Sequence, residues 1–282
     1  MLADSQTDTY FERMGNSAGD KMRLIPYIRE GRVLDIGAGG GELAEMMRLY
    51  GNDVTALDGS PNAIHHMNDK FPLLNAVEGF SDDMVELFEE ESFDTIVCSS
   101  ILHEIFSYGG KDTETIDHAL KDIFALLKPG GRFLIRDGVM PTSHAQRTSV
   151  VFATKDGPKF MELYKNTSPF YSDVEAYRKV SFTQDNLTTF SMSLGSLMET
   201  LYTYTWGFEA AERETQELYG IFTEQEYCDE LVKNGFNVVT SYQYTQPGYP
   251  ENLKHKVSIF DSDGNEIEYP SSNMVIVAEK PI

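Results

Sequence analysis

The sequence predicts an α/β fold in which one sheet of seven strands carries helices on both faces. Three observations support this prediction. A largely apolar run at 33–36 crosses a glycine cluster at 37–41 and resumes at helical spacing, which is the pattern of a buried strand, a tight turn and a helix. A second apolar run, 54–57, follows one such unit later and is followed by an acid, Asp58. Further apolar runs then alternate with helical patterns, and such alternation is typical of a mainly parallel sheet.

The glycine turn after the first strand has the composition of a ligand-binding turn. Gly37 and Gly39 permit backbone conformations that are closed to other residues, and they let a ligand approach bare main chain. Asp58 ends the second strand, where a carboxylate can accept both hydroxyls of a ribose. A dinucleotide fingerprint needs glycine at the position of Glu42, because the pyrophosphate lies against the helix N-terminus there. The pattern therefore favours a ligand with a ribose and no phosphate.

At these residues the chain resembles the class I S-adenosylmethionine-dependent methyltransferases, whose first motif is an acid followed by three glycines at alternate positions. That motif stands here as Asp35, Gly37, Gly39 and Gly41. The resemblance implies a Rossmann-like methyltransferase sheet, S-adenosyl-L-methionine as the cofactor and methyl transfer as the activity. The alternative is another doubly wound sheet with a glycine-rich first turn. On the resemblance, the cofactor-binding residues are expected at the ends of the first four strands: Asp35, Gly37, Ala38, Gly39, Asp58, Gly59, Phe80, Ser81 and Ser99.

Phe80 departs from the family pattern after the third strand. This strand is short, around 74–78, and in the family the turn after it holds the adenine ring. Many relatives carry an acid where Phe80 stands, so Ser81 or Asp82 is expected to supply that contact. Phe80 either stacks on the adenine ring or fills the core.

The fourth strand, 93–98, is followed by Ser99 and Ser100, small polar residues at the edge where open α/β sheets bind their ligands, and both are expected to line the pocket. His103 and Glu104 follow one helical turn later, and a histidine there resembles the Leu-His motif of small-molecule methyltransferases. Histidine accepts a proton near neutral pH, which suits activation of a hydroxyl or amine that attacks the methyl group. The alternative is that His103 caps or packs the helix start. No metal site is expected, because no second histidine stands at i+4 and no cysteine pairs occur.

The fifth strand, 132–137, follows an amphipathic helix and a Leu-Lys-Pro-Gly-Gly turn that is among the most recognisable features of the family. Asp137 ends this strand at the ligand edge. We expect Asp137 to contact the substrate in preference to Arg136, which alternates away from the ligand or lies at the rim. With His103 and Glu104, Asp137 completes the expected catalytic set.

Residues 138–222 depart from the minimal fold, which would continue directly into the next helix. The stretch is rich in tyrosine, phenylalanine, methionine and threonine, and it reads mostly as short helices. We interpret it as a mainly helical insertion, which is a subdomain with its own apolar face, a lid that supplies the acceptor pocket, or both. Its charged segment has the pattern of a solvated face; alternatively, Arg213, Glu214 or Glu217 reaches the acceptor.

The core is expected to resume after a capping box at 223–226. Residues 236–242 read as strand six, and 273–278 as strand seven, which should return antiparallel at the edge of the sheet. Between these strands, Asp263-Gly264 indicates a hairpin.

These patterns divide the sequence into three parts. Tyr10 and Arg13, within residues 1–31, either contact the methionine end of the cofactor or serve as packing and as a solvated charge, respectively. The three parts are an N-terminal helical cover at 1–31, an S-adenosylmethionine-binding core at 32–137 and 223–282, and an acceptor-binding insertion at 138–222.

Composition limits the classes of partner. The chain has 282 residues, of which 41% are hydrophobic and 12% aromatic, so it can bury a large core. Its formal net charge of −22 repels a nucleic-acid backbone.

Other features of the sequence bear on the compartment. Cys98 and Cys228 carry no disulfide framework, and no apolar run reaches the span of a membrane helix. The N-terminus lacks a basic region followed by an apolar core. A cytoplasmic protein without membrane contact is expected, and the sequence carries no signal for its oligomeric state.

Three functions remain open on this basis. The leading one is methyl transfer to an oxygen or nitrogen of a small molecule or a small exposed group, because an acidic chain with an aromatic insertion favours a closed apolar pocket. The second is methylation of a nucleic acid or a modified base, which would need a hidden basic face. The third is a non-catalytic S-adenosylmethionine-binding protein.

Overall fold

The computed structural model describes residues 18–172 and 178–282. Tyr10 and Arg13, with most of the predicted N-terminal cover, lie outside the described residues. The strands of the described chain are β1 (Arg32–Ile36), β2 (Asp53–Asp58), β3 (Asn75–Glu78), β4 (Phe93–Ser99), β5 (Leu127–Gly138), β6 (Arg147–Phe152), β7 (Phe182–Gln184), β8 (Thr189–Ser193), β9 (Asn237–Tyr244), β10 (Val257–Asp261) and β11 (Asn273–Glu279).

The α-helices are α1 (Ala18–Lys21), α2 (Glu42–Leu49), α3 (Pro61–Lys70), α4 (Met84–Leu87), α5 (Leu102–Tyr108), α6 (Thr113–Leu126), α7 (Asp156–Thr167), α8 (Pro169–Ser172), α9 (Leu194–Trp206), α10 (Ala211–Glu214), α11 (Glu224–Lys233) and α12 (Tyr249–Leu253). Short 3₁₀ helices span Met22–Tyr27 and Ser81–Asp83. Local sequence signals explain several of the helix starts. The Ser60 side chain accepts a hydrogen bond from the Ala63 amide at α3, and Thr223 and Glu226 form the predicted capping box at α11.

Seven strands form the main sheet, as the sequence predicts, in the order β3-β2-β1-β4-β5-β11-β9. Strands β1 to β5 pair in parallel. Strand β11 is antiparallel, as expected, but its position at the edge was predicted wrongly. It pairs with β5 on one side and with β9 on the other, so β9 is the edge strand.

The register of the central strands brings their carboxyl ends to one level. Ile36 pairs with Leu57 of β2 and with Cys98 of β4, and Cys98 pairs in turn with Ile135 of β5. The turns that follow these strands therefore lie side by side at one edge of the sheet. This edge is where open α/β sheets bind ligands.

Both faces of the main sheet are covered. Leu34 and Ile36 pack into one apolar cluster, whereas Val33 packs into another; along β4, Ile96 and Val97 divide in the same way. Because successive side chains of a strand point to opposite faces, the two clusters are the two cores of a doubly covered sheet.

The insertion contains the expected helices α7 to α10 and also three strands that the sequence analysis did not predict. Strands β6, β7 and β8 form an antiparallel sheet in the order β10-β6-β8-β7. Strand β10 comes from the C-terminal part of the chain and pairs through Ile259 with Val150. The predicted hairpin at Asp263-Gly264 is reduced to a single antiparallel bridge between Phe260 and Glu266. Within the described ranges, every helix is too short or too polar to cross a membrane.

Candidate functional site

A cavity of about 310 Å³ opens at the ends of β1, β2 and β4. We call it the cofactor cavity because it collects most of the residues that were predicted to bind the cofactor. These wall residues are Gly37, Gly39, Asp58, Gly59, Phe80 and Ser81.

The three wall glycines that were predicted to bind the cofactor keep the cavity open for different reasons. A Cβ at Gly37 would lie 2.4 Å from the Ile101 side chain, and a Cβ at Gly59 would lie 2.4 Å from the Phe80 ring. Gly39 has a positive φ of 57°, and a Cβ there would meet no atom within 4 Å. A side chain at Gly39 would consequently project into open space at the cavity wall.

Asp58 is held at the rim by backbone amides. Its Oδ2 accepts a hydrogen bond of 2.8 Å from the Gly39 amide, and its Oδ1 accepts one of 2.9 Å from the Ser60 amide. Burial raises the pKa of Asp58, and these hydrogen bonds and the charge of Arg213 oppose the rise. Each carboxylate oxygen has a further lone pair, so Asp58 can still accept hydrogen bonds from a ligand.

Phe80 lies in the cavity wall with 63% of its surface exposed, so it does not fill the core. Ser81 and Asp82 lie beside it in the same wall. An exposed aromatic ring next to hydroxyl and carboxylate groups matches the stacking and polar contacts that a purine ring can make.

Three predicted cofactor residues lie behind the wall. Ala38 is buried and donates its amide to the Leu57 carbonyl. Of the two serines expected to line the pocket, Ser100 lies in the cavity wall, whereas Ser99 is buried. Asp35 is also buried; among the described residues its Oδ2 has no hydrogen-bond partner, and burial raises the pKa of Asp35 to about 7.

A second cavity, of about 640 Å³, adjoins the first. Ser100, Glu104 and Arg213 belong to the walls of both cavities. We call the second one the acceptor cavity because its wall contains the predicted catalytic set, His103, Glu104 and Asp137. Its other walls come from the core, the insertion and the loop after β9, and they include His103, Arg136, Asp137, Tyr202, Trp206, Glu214, Glu217, Tyr219 and Gln246.

His103 and Asp137, two members of the predicted catalytic set, form a buried pair in the wall of the acceptor cavity. His103 Nδ1 lies 2.6 Å from Asp137 Oδ1, and Nε2 lies 3.5 Å from Glu217 Oε2. Burial alone would lower the pKa of His103, but the charges and hydrogen bonds of Asp137 and Glu217 outweigh it and raise this pKa well above the usual range. The ring of Tyr219 lies over the imidazole, with 4.7 Å between centroids.

Glu104 and Glu217 share one cation. Arg213 approaches Glu104 at 3.3 Å and Glu217 at 3.4 Å, and Tyr108 donates a hydrogen bond of 2.8 Å to Glu217. Burial and the neighbouring Glu217 raise the pKa of Glu104 to about 8, although Arg213 and His103 oppose the rise. Of the two interpretations of the charged segment, burial of Glu217 and its place in the acceptor cavity favour a role in the site.

The same cluster contains the donor set that can hold a metal ion. One nitrogen of His103 and one oxygen each of Glu104 and Glu217 lie within 4.8 Å of one another. From the sequence no metal site was expected, because no second histidine stands at i+4; here the third donor, Glu217, comes from the insertion instead. In the structure both carboxylates are paired with Arg213.

Arg136 is more central than the sequence analysis expected. Only 2% of Arg136 is exposed, and its guanidinium binds Asp20 and donates to the Ser100 hydroxyl. Arg136 and Asp137 both line the acceptor cavity although they are consecutive residues of β5. The expectation that Arg136 points away or lies only at the rim was therefore wrong.

Glu199 was not predicted from the sequence as a residue of the site. It is fully buried on α9, where its carboxylate accepts hydrogen bonds from the amides of Tyr219 (3.0 Å) and Gly220 (2.5 Å). Burial raises the pKa of Glu199 to about 7. These bonds fix the segment that carries Tyr219 and Glu217 against His103. A single acid in an otherwise uncharged helix was the available signal.

Comparison with known proteins places this arrangement among methyltransferases. A family model described as a methyltransferase domain matches residues 10–241. Demethylmenaquinone methyltransferase from Chlorobaculum tepidum is 26% identical over 145 residues, which is 51% of this chain and 56% of that protein. Ubiquinone biosynthesis O-methyltransferase from Xanthomonas euvesicatoria is 32% identical over 127 residues, which is 43% of this chain and 46% of that protein. The chain thus spans about half the length of the curated relatives it matches.

Solved structures share the fold at low sequence identity. A SAM-dependent methyltransferase from Archaeoglobus fulgidus superimposes with a TM-score of 0.54 at 13% identity, covering 94% of each chain. A putative methyltransferase from Bacillus halodurans gives a TM-score of 0.53 at 14% identity, covering 95% of this chain and 100% of that one.

Proposed function

The chain belongs to the methyltransferase-domain family, and from this premise we propose that it methylates an oxygen or nitrogen of a small molecule held in the acceptor cavity. Its cofactor is S-adenosyl-L-methionine. The observation that carries the proposal is the pair of adjoining cavities. One has walls suited to a nucleoside, the other contains a buried histidine and several carboxylates, and three residues are common to both.

The residues of the cofactor cavity fit the donor. Asp58 has free lone pairs for ribose hydroxyls, Gly37 and Gly39 offer bare backbone, and the exposed ring of Phe80 offers a stacking surface for adenine. When bound, S-adenosyl-L-methionine supplies a methyl group on a positively charged sulfur. The protein's task is to align the acceptor and to exclude water.

His103 is the proposed general base. Asp137 fixes the imidazole through Nδ1, so Nε2 is the atom available to take a proton from the acceptor. The raised pKa makes His103 a stronger base than a free imidazole, but a higher pH is then needed before Nε2 loses its proton and can accept one from the acceptor. Glu217, beside Nε2, can relay the proton that leaves Nε2 towards the cavity.

The alternative acceptors have less support. The net charge of −22 disfavours a polyanion, whereas a cavity of about 640 Å³ has the size of a small-molecule site. The two curated relatives are named for demethylmenaquinone and for ubiquinone biosynthesis, which adds weight to a small ring-containing acceptor.

A panel assay tests the proposal. The purified chain is incubated with S-adenosyl-L-methionine that carries a labelled methyl group and with phenols, reduced quinones, small amines and a tRNA pool, and labelled product is counted. We expect label in a phenol, a reduced quinone or an amine. Label only in RNA would favour the nucleic-acid function, and cofactor binding without any product would favour a binding protein.

A further inference from the structure

Arg213 connects the insertion to both cavities. It is the one described residue of 138–222 in the wall of the cofactor cavity, and it also belongs to the wall of the acceptor cavity. A ligand in the cofactor cavity therefore faces the described part of the insertion through a positively charged side chain.

The guanidinium of Arg213 pairs with two carboxylates on the acceptor side. Its ion pairs with Glu104 and Glu217, at 3.3 and 3.4 Å, are longer than the 2.7–2.9 Å typical of charge-assisted hydrogen bonds. Glu217 has further partners in Tyr108 and His103. A small movement of Arg213 between the cavities consequently leaves Glu217 with hydrogen-bonding partners.

The positive charge of Arg213 also acts on Asp58, in the wall of the cofactor cavity. It opposes the rise in the pKa of Asp58 that burial causes, so the charge acts on the residue proposed to bind the ribose. Arg213 has only 16% of its side chain exposed, and solvent screens such a charge much less than one on the open surface.

Methyl transfer changes the charge of the ligand in this cavity by one unit. The acceptor's lone pair forms a bond to the methyl carbon while the carbon–sulfur bond breaks, and the sulfur keeps that electron pair. The positive sulfonium of S-adenosyl-L-methionine thus becomes the neutral thioether of S-adenosyl-L-homocysteine, and the acceptor's proton leaves to the general base. A cation in the cavity wall repels the first ligand and not the second.

We propose that Arg213 discriminates between the charged donor and the neutral product, and that it passes this difference to the acceptor cavity through Glu104 and Glu217. This inference rests on the proposed function. With the donor bound, repulsion drives the guanidinium towards Glu104 and Glu217 and tightens its pairing with them beside the acceptor. After transfer the repulsion ends, and the pairing of Arg213 with both carboxylates relaxes.

Two substitutions separate charge from packing. Arg213→Met removes the charge and keeps most of the side-chain volume, whereas Arg213→Lys keeps the charge. Arg178→Met is the matched control, because Arg178 also belongs to the insertion and pairs with Glu226 at 2.7 Å, but it lines neither cavity. Arg213→Gln is a second uncharged variant in case Arg213→Met does not fold.

Calorimetric titration of each full-length variant with the two ligands gives the ratio of the donor Kd to the product Kd. We expect the uncharged variants to lower this ratio by about tenfold, and Arg213→Lys and Arg178→Met to leave it within about threefold of the parent. An unchanged ratio in both uncharged variants would overturn the inference, as would an equal loss of affinity for both ligands, which indicates a purely structural role. A parent that binds neither ligand would instead overturn the proposed function, and the inference with it.

Discussion

His103 Nδ1 lies 2.6 Å from Asp137 Oδ1, in a pair that brings the start of α5 against the end of β5. The His103 backbone amide also approaches Asp137 Oδ2, at 3.3 Å. One carboxylate therefore fixes both the ring and the backbone of His103. Because the two side chains are nearly inaccessible to water, the orientation of Nε2 towards Glu217 is set by the fold.

Replacement of His103 by alanine should lower kcat by about a hundredfold, since a positioned base typically contributes that much or more. Cofactor affinity should hardly change, because His103 lies in the acceptor cavity and not in the wall of the cofactor cavity. Steady-state kinetics with the acceptor found in the panel assay, and calorimetry with S-adenosyl-L-homocysteine, measure the two quantities. A parental kcat in this variant would reduce His103 to packing and leave alignment as the source of catalysis.

The pH dependence of the rate should respond to Asp137. A general base must be unprotonated, so the rate of the parent should rise with pH through an ionisation above the ordinary histidine value of about 6.5. Asp137→Asn removes the negative charge that raises the pKa of His103, so the inflection should move to lower pH. Profiles of kcat against pH for the two proteins measure the shift. An inflection at the same pH in both would assign it to another group.

The cofactor half of the site was predictable because its signals are local. The glycine turn, Asp58 and the strand ends lie within single βα units, and the parallel register then brings them to one edge. At the end of β4 one of the two serines expected in the pocket is there: Ser100 takes a positive φ of 62° and lies in the walls of both cavities, while Ser99 stays buried. A period-two pattern gives the faces of a strand, but it does not say where the strand ends.

The acceptor half depends on contacts between residues far apart in the chain. Tyr108 and Glu217 are separated by 109 positions, and Glu217 stands in a charged run that resembles a solvated face. The strands of the insertion sheet were missed for a related reason. Residues 189–193 alternate Phe and Met with Thr and Ser, and this run became a strand through its pairing with β6.

Gly39 and Gly51 form a matched pair for testing the cofactor cavity. Both have a positive φ, at 57° and 96°, and a Cβ at either would meet no atom within 4 Å. Alanine should cost each position a similar backbone strain of about 1 kcal/mol. Only Gly39 lies in the cavity wall, so Gly39→Ala should weaken S-adenosyl-L-methionine binding by about tenfold or more, roughly 1.4 kcal/mol, while Gly51→Ala retains parental affinity. Equal affinities in calorimetry, with equal melting temperatures, would move the cofactor site elsewhere.

Glu199 should make the stability of the fold fall as pH rises from about 4.5 to about 7. Burial raises the pKa of this carboxyl from 4.5 to about 7 in the folded chain, against the opposing hydrogen bonds from Gly220 and Tyr219. Between these two values the folded state holds a proton that the unfolded state has released, so each increase in pH favours unfolding. The contribution is of order 3 kcal/mol, is fully present below about pH 4.5, and is lost once the pH passes about 7.

Glu199→Gln removes this titration, so the stability of the variant relative to the parent should increase steadily over the same interval. Other buried acids titrate in both proteins, and their effects cancel in the difference. Glu162→Gln is the control, because Glu162 is an exposed residue of the insertion helix α7 and should leave the difference constant. Urea unfolding at half-unit pH steps from 4.5 to 8 gives the free energies. A constant difference for Glu199→Gln would mean that this carboxylate stays ionised in the folded chain, held by its two amide hydrogen bonds at the segment that carries Tyr219 to His103.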